Sequence, residues 1–297
     1  MKRILASAAC AVLAACGGSG NGNGSTSNAA LGTTFNYGSP QTASSAETTA
    51  VQAQLSTLIG VQGSPTASDA FNVADFSGLS GALLGGEASS FPIAVGAPES
   101  LARALVARAG ARWDVLPRDT FTFENPGCAS QPNSDSVSLQ ACVLDLSSTG
   151  VSGTATITGT LTADPSAGTA SWSFSVAMNF SEQGMTASGT YSFSGQVAVT
   201  ASTVKATLLA DLNATATGTE NGQSVTATIG AAESLVVDLA YESSPTSCVT
   251  GGTVEAKFVW TTLPSGATST QFPNQAAKVT FTSTGGGCGV ATIVTSP

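Results

Sequence analysis

The sequence predicts a mainly β protein: a large antiparallel meander, curled into a barrel-like or half-barrel form, with a short helical N-terminal part. Two observations support this prediction. From Asp119 onward, apolar and polar residues alternate in segment after segment, as half-buried strands require. Short stretches of turn-forming residues separate these segments, so consecutive strands are expected to pair with each other.

Residues 31–118 are predicted to form the helical and irregular part, which packs on the sheet. A first helix is expected over residues 45–60, with Glu47 in its first turn and an apolar stripe of Val51, Leu55, Leu58 and Ile59. A second helix is expected over residues 98–111, where Pro98 suits the first helical position and Glu99 suits the helix dipole. The apolar stretch between them is interrupted by glycine and is predicted to be irregular.

Residues 119–297 are predicted to form the antiparallel β domain, with about ten strands. The clearest turn signals are residues 164–168, residues 182–184 and the pair Asn221-Gly222. Asn-Gly is the most typical sequence of a two-residue hairpin, because both residues tolerate positive φ. The short connections therefore indicate hairpins rather than crossovers.

Simple geometry indicates that two helices cannot cover such a sheet. Ten strands spaced about 4.8 Å apart and about 40 Å long present a face of roughly 1,900 Å². A helix about 21 Å long and 10 Å wide covers only about 200 Å². The sheet is therefore expected to close on itself, to stack as a sandwich, or to retain an apolar groove.

One face of the predicted strands carries aromatic side chains, and these are the candidate ligand-binding residues. They could line a site for a lipid or another apolar molecule, but strand spacing favours a packed core. The residues are Trp172, Phe174, Phe180, Tyr191 and Phe193. The opposite, Thr/Ser-rich face could be a flat array that binds glycans or ice. Because the threonines show no register that repeats from strand to strand, we expect a solvated surface instead.

The first residues have the pattern of an export signal with a lipid attachment site. Lys2 and Arg3 precede a short apolar run, which is too short to span a bilayer. The sequence Leu13-Ala14-Ala15-Cys16 then resembles the lipobox of bacterial lipoproteins. The resemblance implies that residues 1–15 are removed and that the Cys16 thiol carries a diacylglyceryl group, with fatty acids such as palmitate. Several acyl chains together anchor a protein stably to a membrane.

The residue after the lipidated cysteine bears on the destination of such a protein. It is Gly17 rather than aspartate, which by the sorting rule of this family implies anchoring in the outer membrane, on its periplasmic side or at the cell surface. Residues 16–30 are predicted to be the lipidated cysteine and a flexible tether rich in Gly, Ser and Asn.

Four cysteines remain after removal of the signal and lipidation of Cys16. They are Cys128, Cys142, Cys248 and Cys288. In an oxidising compartment an even number indicates disulfides, and three pairings are open. We favour Cys128–Cys142 and Cys248–Cys288, because each pair closes a local loop. A zinc site is not expected, since no C-x2-C spacing is present.

The composition excludes several classes of function. The sequence has no histidine, so histidine-based nucleophilic catalysis and imidazole metal sites are excluded. Nine basic residues and a net charge of −9 argue against nucleic-acid binding. No metal or other cofactor is predicted, and an enzyme is not expected.

The sequence therefore predicts a non-catalytic cell-envelope lipoprotein with a structural or interaction role. Its partners would be the membrane, through the anchor, and an envelope protein or an apolar ligand. The alternative prediction is a carrier that holds a lipid or another apolar ligand inside the curled sheet.

Overall fold

The computed structural model describes most of the β domain and the first predicted helix. It covers residues 28–60, 83, 124–125, 127–133, 135–145, 152–182, 185–220, 223–242, 248–263, 268–270, 272–283 and 288–296. Cys16, the predicted helix over residues 98–111 and most of the predicted strand over residues 119–124 lie outside these residues.

The described residues include two helices and eleven strands, and Leu83 is also helical. The helices are α1 (Asn28–Gly32) and α2 (Ser45–Gly60). The strands are β1 (Gln41–Thr42), β2 (Ala129–Asn133), β3 (Ser136–Asp145), β4 (Ser152–Asp164), β5 (Thr169–Glu182), β6 (Met185–Val199), β7 (Thr203–Glu220), β8 (Gln223–Glu242), β9 (Cys248–Thr262), β10 (Gln275–Thr282) and β11 (Val290–Ser296).

All eleven strands belong to one antiparallel sheet, which confirms the predicted meander. From β2 to β11 every strand pairs with the next one in the chain, and β1 pairs with β11 at the far edge. The sheet is not closed into a barrel, since β1 and β2 form two separate edges. Both edge strands are short, which limits pairing with other chains.

The predicted turns connect the strands as expected. Glu220 pairs with Gln223, so two residues separate β7 from β8, as the Asn-Gly signal predicts. Glu182 pairs with Met185, which places an equally short connection between β5 and β6. Between β4 and β5, Gly168 has a φ of 66°, a conformation that favours glycine.

The two faces of the sheet differ sharply in burial. We call the side with the aromatic and aliphatic residues the core face and the opposite side the polar face. Representative residues of the core face, all buried, are Ile157, Phe174, Tyr191, Leu208, Leu235 and Val254. Helix α2 packs on the core face through Val51 and Leu55, which are 1% and 3% exposed. Leu83 is buried in the same core.

Helix α2 begins at the predicted residue because its first turn is capped. The backbone N–H of Ser44 donates to the Glu47 carboxylate, and the N–H of Glu47 donates to Ser44 Oγ over 3.3 Å. This reciprocal arrangement is a capping box, which satisfies donors that a helix start leaves without partners. Glu47 also carries its negative charge at the positive end of the helix dipole.

Glycines opposite aromatic residues make room on the core face. Trp172 pairs with Gly195 across β5 and β6, and its indole lies where a side chain at Gly195 would lie. Phe174 pairs in the same way with Gly159 of β4. Large rings therefore lie over bare backbone in the middle of the sheet, and this arrangement helps to fix the strand register.

The N-terminal end of the described chain differs from the predicted tether. Residues 28–30 begin helix α1 rather than continuing a flexible segment, and Ala30 is completely buried. The helix packs on the polar face, where Ala30 contacts Ala232 of β8 and Val259 of β9. The reason is apolar burial: this is where the polar face offers small aliphatic side chains in place of Ser and Thr.

Residues 33–43, which we call the strap, carry the chain from the polar face around the edge of the sheet. The Tyr37 hydroxyl donates to Glu255 Oε1 over 2.5 Å, and Lys257 Nζ donates to the Thr33 carbonyl over 3.4 Å. At the edge, the N–H of Gly38 donates to the Thr295 carbonyl over 2.9 Å. The strap thus joins α1 on the polar face to α2 on the core face.

Replacing Tyr37 by phenylalanine is expected to loosen the strap, with a loss of about 1 kcal/mol of stability at neutral pH. Burial and the Glu255 carboxylate raise the pKa of Tyr37 well above its usual value. A raised folded-state pKa means that this contribution is complete below about pH 10 and decreases as the pH rises further. Denaturant unfolding at a series of alkaline pH values should show a shallower loss of stability for the variant. Identical curves for variant and wild type would contradict this role.

Candidate functional site

The candidate ligand-binding aromatic residues lie inside the core. Trp172, Phe174, Tyr191 and Phe193 are each between 2% and 6% exposed. The rings of Phe174 and Phe193 are stacked with centroids 5.2 Å apart, and Tyr191 follows at 5.7 Å from Phe193. These are the distances of a packed aromatic core. The side chain of Phe180 lies outside the described residues. The use of these residues for ligand binding stays a prediction.

The four remaining cysteines lie in the predicted pairs. Cys128 and Cys142 have Cα atoms 5.2 Å apart, and Cys248 and Cys288 have Cα atoms 5.3 Å apart. Both separations suit disulfides. The first pair ties the start of β2 to β3, and the second ties the start of β9 to the segment before β11. Each crosslink therefore joins neighbouring segments within one outer part of the sheet, and the two lie on opposite sides of its centre.

A groove that the sequence pattern does not indicate crosses the polar face. Its volume is about 540 Å³, within the range of ligand sites. It is lined by three consecutive residues from each of five neighbouring strands, β4 to β8. We call it the transverse groove, because it runs across the strands near the turns at residues 165–168 and 200–202.

The floor and the walls of the transverse groove follow from the alternation of the strands. The middle residue of each triplet points to the core face and is buried, so the floor is backbone; these residues are Ala163, Ala170, Val197, Ala206 and Val237. The flanking residues point to the polar face and form two walls. One wall consists of Thr162, Ser171, Gln196, Thr207 and Val236. The other consists of Asp164, Thr169, Ala198, Lys205 and Asp238.

Charged side chains lie only at the two ends of the transverse groove. At the β4 end, Asp164 Oδ1 accepts hydrogen bonds from Ser166 Oγ and from the N–H groups of Ser166 and Ala167, at 2.7–3.0 Å. The Ser166 hydroxyl and these backbone donors lower the pKa of Asp164, so it stays ionised. At the β8 end, Lys205 Nζ lies 3.2 Å from Asp238 Oδ2. The middle of the groove is uncharged, and its side chains are hydroxyl, amide and methyl groups.

The polar face has more order than the sequence pattern indicates. Hydroxyl groups repeat from strand to strand once the register is known, and in β6–β8 threonine itself does, because Thr217 lies opposite both Thr186 and Thr226. Thr160 lies opposite Ser173, which lies opposite Ser194. One row away, Thr158, Ser175 and Ser192 are aligned in the same way. The expectation that the threonine register does not repeat is therefore wrong for β6–β8. The expected solvated surface is not contradicted, since Thr158, Thr160 and Ser173 are exposed.

One serine–lysine spacing in the chain could serve catalysis without histidine, because a lysine can act as the base for a serine nucleophile. Ser202, Thr203, Val204 and Lys205 form an S-x-x-K sequence. The structure places Ser202 in the turn before β7 and Lys205 within the strand. The Lys205 ammonium forms an ion pair with Asp238, and the Ser202 hydroxyl has no hydrogen bond to it. The pair therefore lacks the contact that a nucleophile and its base need.

Two acidic side chains are buried at adjacent register positions of β7 and β8, but they lie on opposite faces of the sheet. Asp211 of β7 is 5% exposed on the polar face, and Glu233 of β8 is 3% exposed on the core face. Both take part in polar interactions. Within the described residues, no group of three potential metal ligands is present, and no helix is long and apolar enough to cross a membrane.

The fold and the groove together define an open, all-antiparallel β protein that carries a shallow groove on the hydroxyl-rich face of its sheet. No protein-family model, curated protein or solved structure matches this chain. The function must therefore be inferred from its own residues.

Proposed function

We propose that this chain is a lipid-anchored protein of the bacterial cell envelope with a non-catalytic, structural or interaction role. The observation that carries the proposal is the sequence Leu13-Ala14-Ala15-Cys16, which follows a basic start and an apolar run. Gly17 after the cysteine supports the outer membrane, on either its periplasmic or its outer side. Fatty acyl chains on Cys16 would supply the membrane contact.

Two features of the folded part support an envelope location. The cysteine pairs Cys128–Cys142 and Cys248–Cys288 lie at disulfide distance, and disulfides persist in oxidising compartments. The strands expose serine and threonine rather than charged residues, which account for only 9% of the chain. Such a surface offers hydrogen-bonding groups but few charges to create an electrostatic potential. It therefore suits recognition by contact more than electrostatic steering of a partner.

The non-catalytic part of the proposal rests on chemistry. The sequence has no histidine, and the one S-x-x-K sequence has its lysine in an ion pair. A carrier role for the aromatic core remains the alternative prediction. Native mass spectrometry of the gently extracted protein would detect a co-purifying lipid if that alternative is correct.

Replacing Cys16 by serine is expected to abolish lipid attachment and processing. Serine provides no thiol for the diacylglyceryl group, so an uncleaved precursor should accumulate. The matched control is Cys10→Ser, because Cys10 lies in the same signal but outside the lipobox sequence. Metabolic labelling with palmitate and membrane fractionation would measure the effect. Normal labelling of the Cys16 variant, or loss of labelling in the Cys10 variant, would overturn the proposed anchor.

A further inference from the structure

We propose that the transverse groove is a binding site for a neutral oligosaccharide, which would lie across strands β4 to β8. The inference deepens the interaction role proposed above, because it gives that role a ligand class. It does not depend on the lipid anchor, since all the residues concerned belong to the folded sheet.

The shape of the groove suits a short chain molecule. Its lining spans five neighbouring strands, which are about 4.8 Å apart, so its length is about 19 Å. Its volume of about 540 Å³ lies within the range of small-molecule sites. No large side chain interrupts the floor, because the middle residues of the triplets point to the core face. A linear chain of sugar rings fits a site that is long and shallow.

The wall chemistry indicates a ligand rich in hydroxyl groups. Thr162, Ser171 and Thr207 supply hydroxyls that both donate and accept hydrogen bonds. Gln196 adds an exposed amide, which also does both. Sugar hydroxyls have the same dual capacity, so each ligand group can find a partner in either orientation. An apolar ligand would leave these wall groups without hydrogen bonds.

The ends of the groove favour a neutral ligand over an acidic one. Asp164, Lys205 and Asp238 together carry a net charge of −1, and the whole chain carries −9. An acidic polysaccharide would therefore be repelled. No hydrogen bond from the described residues reaches the second carboxylate oxygen of Asp164, Oδ2, so it can accept one from a sugar hydroxyl.

The backbone of the groove argues against a peptide strand as the ligand. Strands β4 to β8 are paired on both sides, so the floor has no free row of N–H and C=O groups. A peptide could not add itself as a further strand here, as it does at sheet edges. Recognition must therefore use side chains, and in the middle of the groove these are hydroxyls, one amide and the methyl group of Ala198.

The test uses the full chain, purified in lauryldimethylamine oxide, whose headgroup contains no sugar. Saturation-transfer NMR titrations with maltohexaose, cellohexaose and laminarihexaose should show saturable binding of at least one of them. An acidic hexamer of galacturonate and an uncharged serine-rich hexapeptide should not bind. Absence of binding by all three neutral hexasaccharides, or equal binding of either comparison ligand, would overturn the proposal.

Matched variants tie the binding to the groove. Ser171→Trp places a large ring in the middle of one wall and should weaken binding at least about tenfold. Ser188→Trp changes an exposed serine on the same face, eight residues along β6 from Gln196 and outside the groove, and should leave binding within about twofold. Gln196→Ala is a smaller change that should also weaken binding. It replaces Ser171→Trp as the test variant if Ser171→Trp does not fold. Unchanged binding in the groove variants would contradict the site.

Normal lipidation without glycan binding would refute this inference alone, and the reverse result would refute only the anchor.

Discussion

Replacing Trp172 by alanine is expected to lower the free energy of unfolding by about 3–5 kcal/mol. The indole is 4% exposed, lies in β5 near the middle of the sheet, and covers the bare backbone of Gly195. Its removal would leave a cavity that neighbouring strands cannot fill, because they are paired on both sides. Urea unfolding followed by circular dichroism measures the loss without relying on tryptophan fluorescence.

The controls for this experiment separate a packed core from a ligand cavity. Phe174→Ala should cost a similar amount, since Phe174 is 2% exposed and stacked on Phe193. Val290→Ala removes an apolar side chain that is 54% exposed and should change stability by less than about 0.5 kcal/mol. A Trp172 variant as stable as the wild type that has lost a co-purifying lipid would contradict the core role and support the carrier alternative.

Removing the Cys248–Cys288 crosslink by a double change to alanine is expected to cost about 4 kcal/mol. The pair closes a loop with a sequence separation of 40, and an open loop of that length gives the unfolded chain many more conformations. Removing Cys128–Cys142, with a separation of 14, should cost about 3 kcal/mol. Urea unfolding of the two double variants gives the comparison.

The natural control for the crosslinks is the wild-type chain after reduction. Its stability should fall by about the sum of the two losses, because the loops lie in opposite halves of the sheet and share no strand. Unchanged stability in either double variant would contradict a crosslink at that position. Free thiols detected in the unreduced protein would do so directly.

Much of the fold could be predicted because local patterns agree with the final structure. Helix α2 begins and ends where the spacing of Val51 and Leu55 and the position of Glu47 predict. Strands β4 to β11 follow the alternation of their apolar residues, and the Asn221-Gly222 signal lies between β7 and β8 as expected. In these segments, period and turn chemistry give the same answer, so little depends on distant contacts.

Strands β2 and β3 were not predicted, and a bulge explains why for β3. Leu139 pairs with Gly159, but Cys142 pairs with Ile157, so β3 contains one residue more than its partner. Ala141 in this bulge has a φ of 51°. Beyond it the alternation shifts by one position, which hides the period of two from the sequence. Strand β1 was not predicted for a different reason: its two residues are too few to show any period.

The sequence by itself determined the strand pattern, helix α2, the separation into an apolar and a hydroxyl-rich face, and the signals for an anchor and two local crosslinks. These depend on neighbours in the chain. Only the tertiary structure decided that the sheet stays open, that α1 and the strap hold its polar face, and that a groove crosses five strands. Those features depend on register between residues far apart in sequence, such as Thr162 and Val236 of the groove wall. Alternation shows which face a side chain occupies, but only the paired backbone shows which side chains it stands beside.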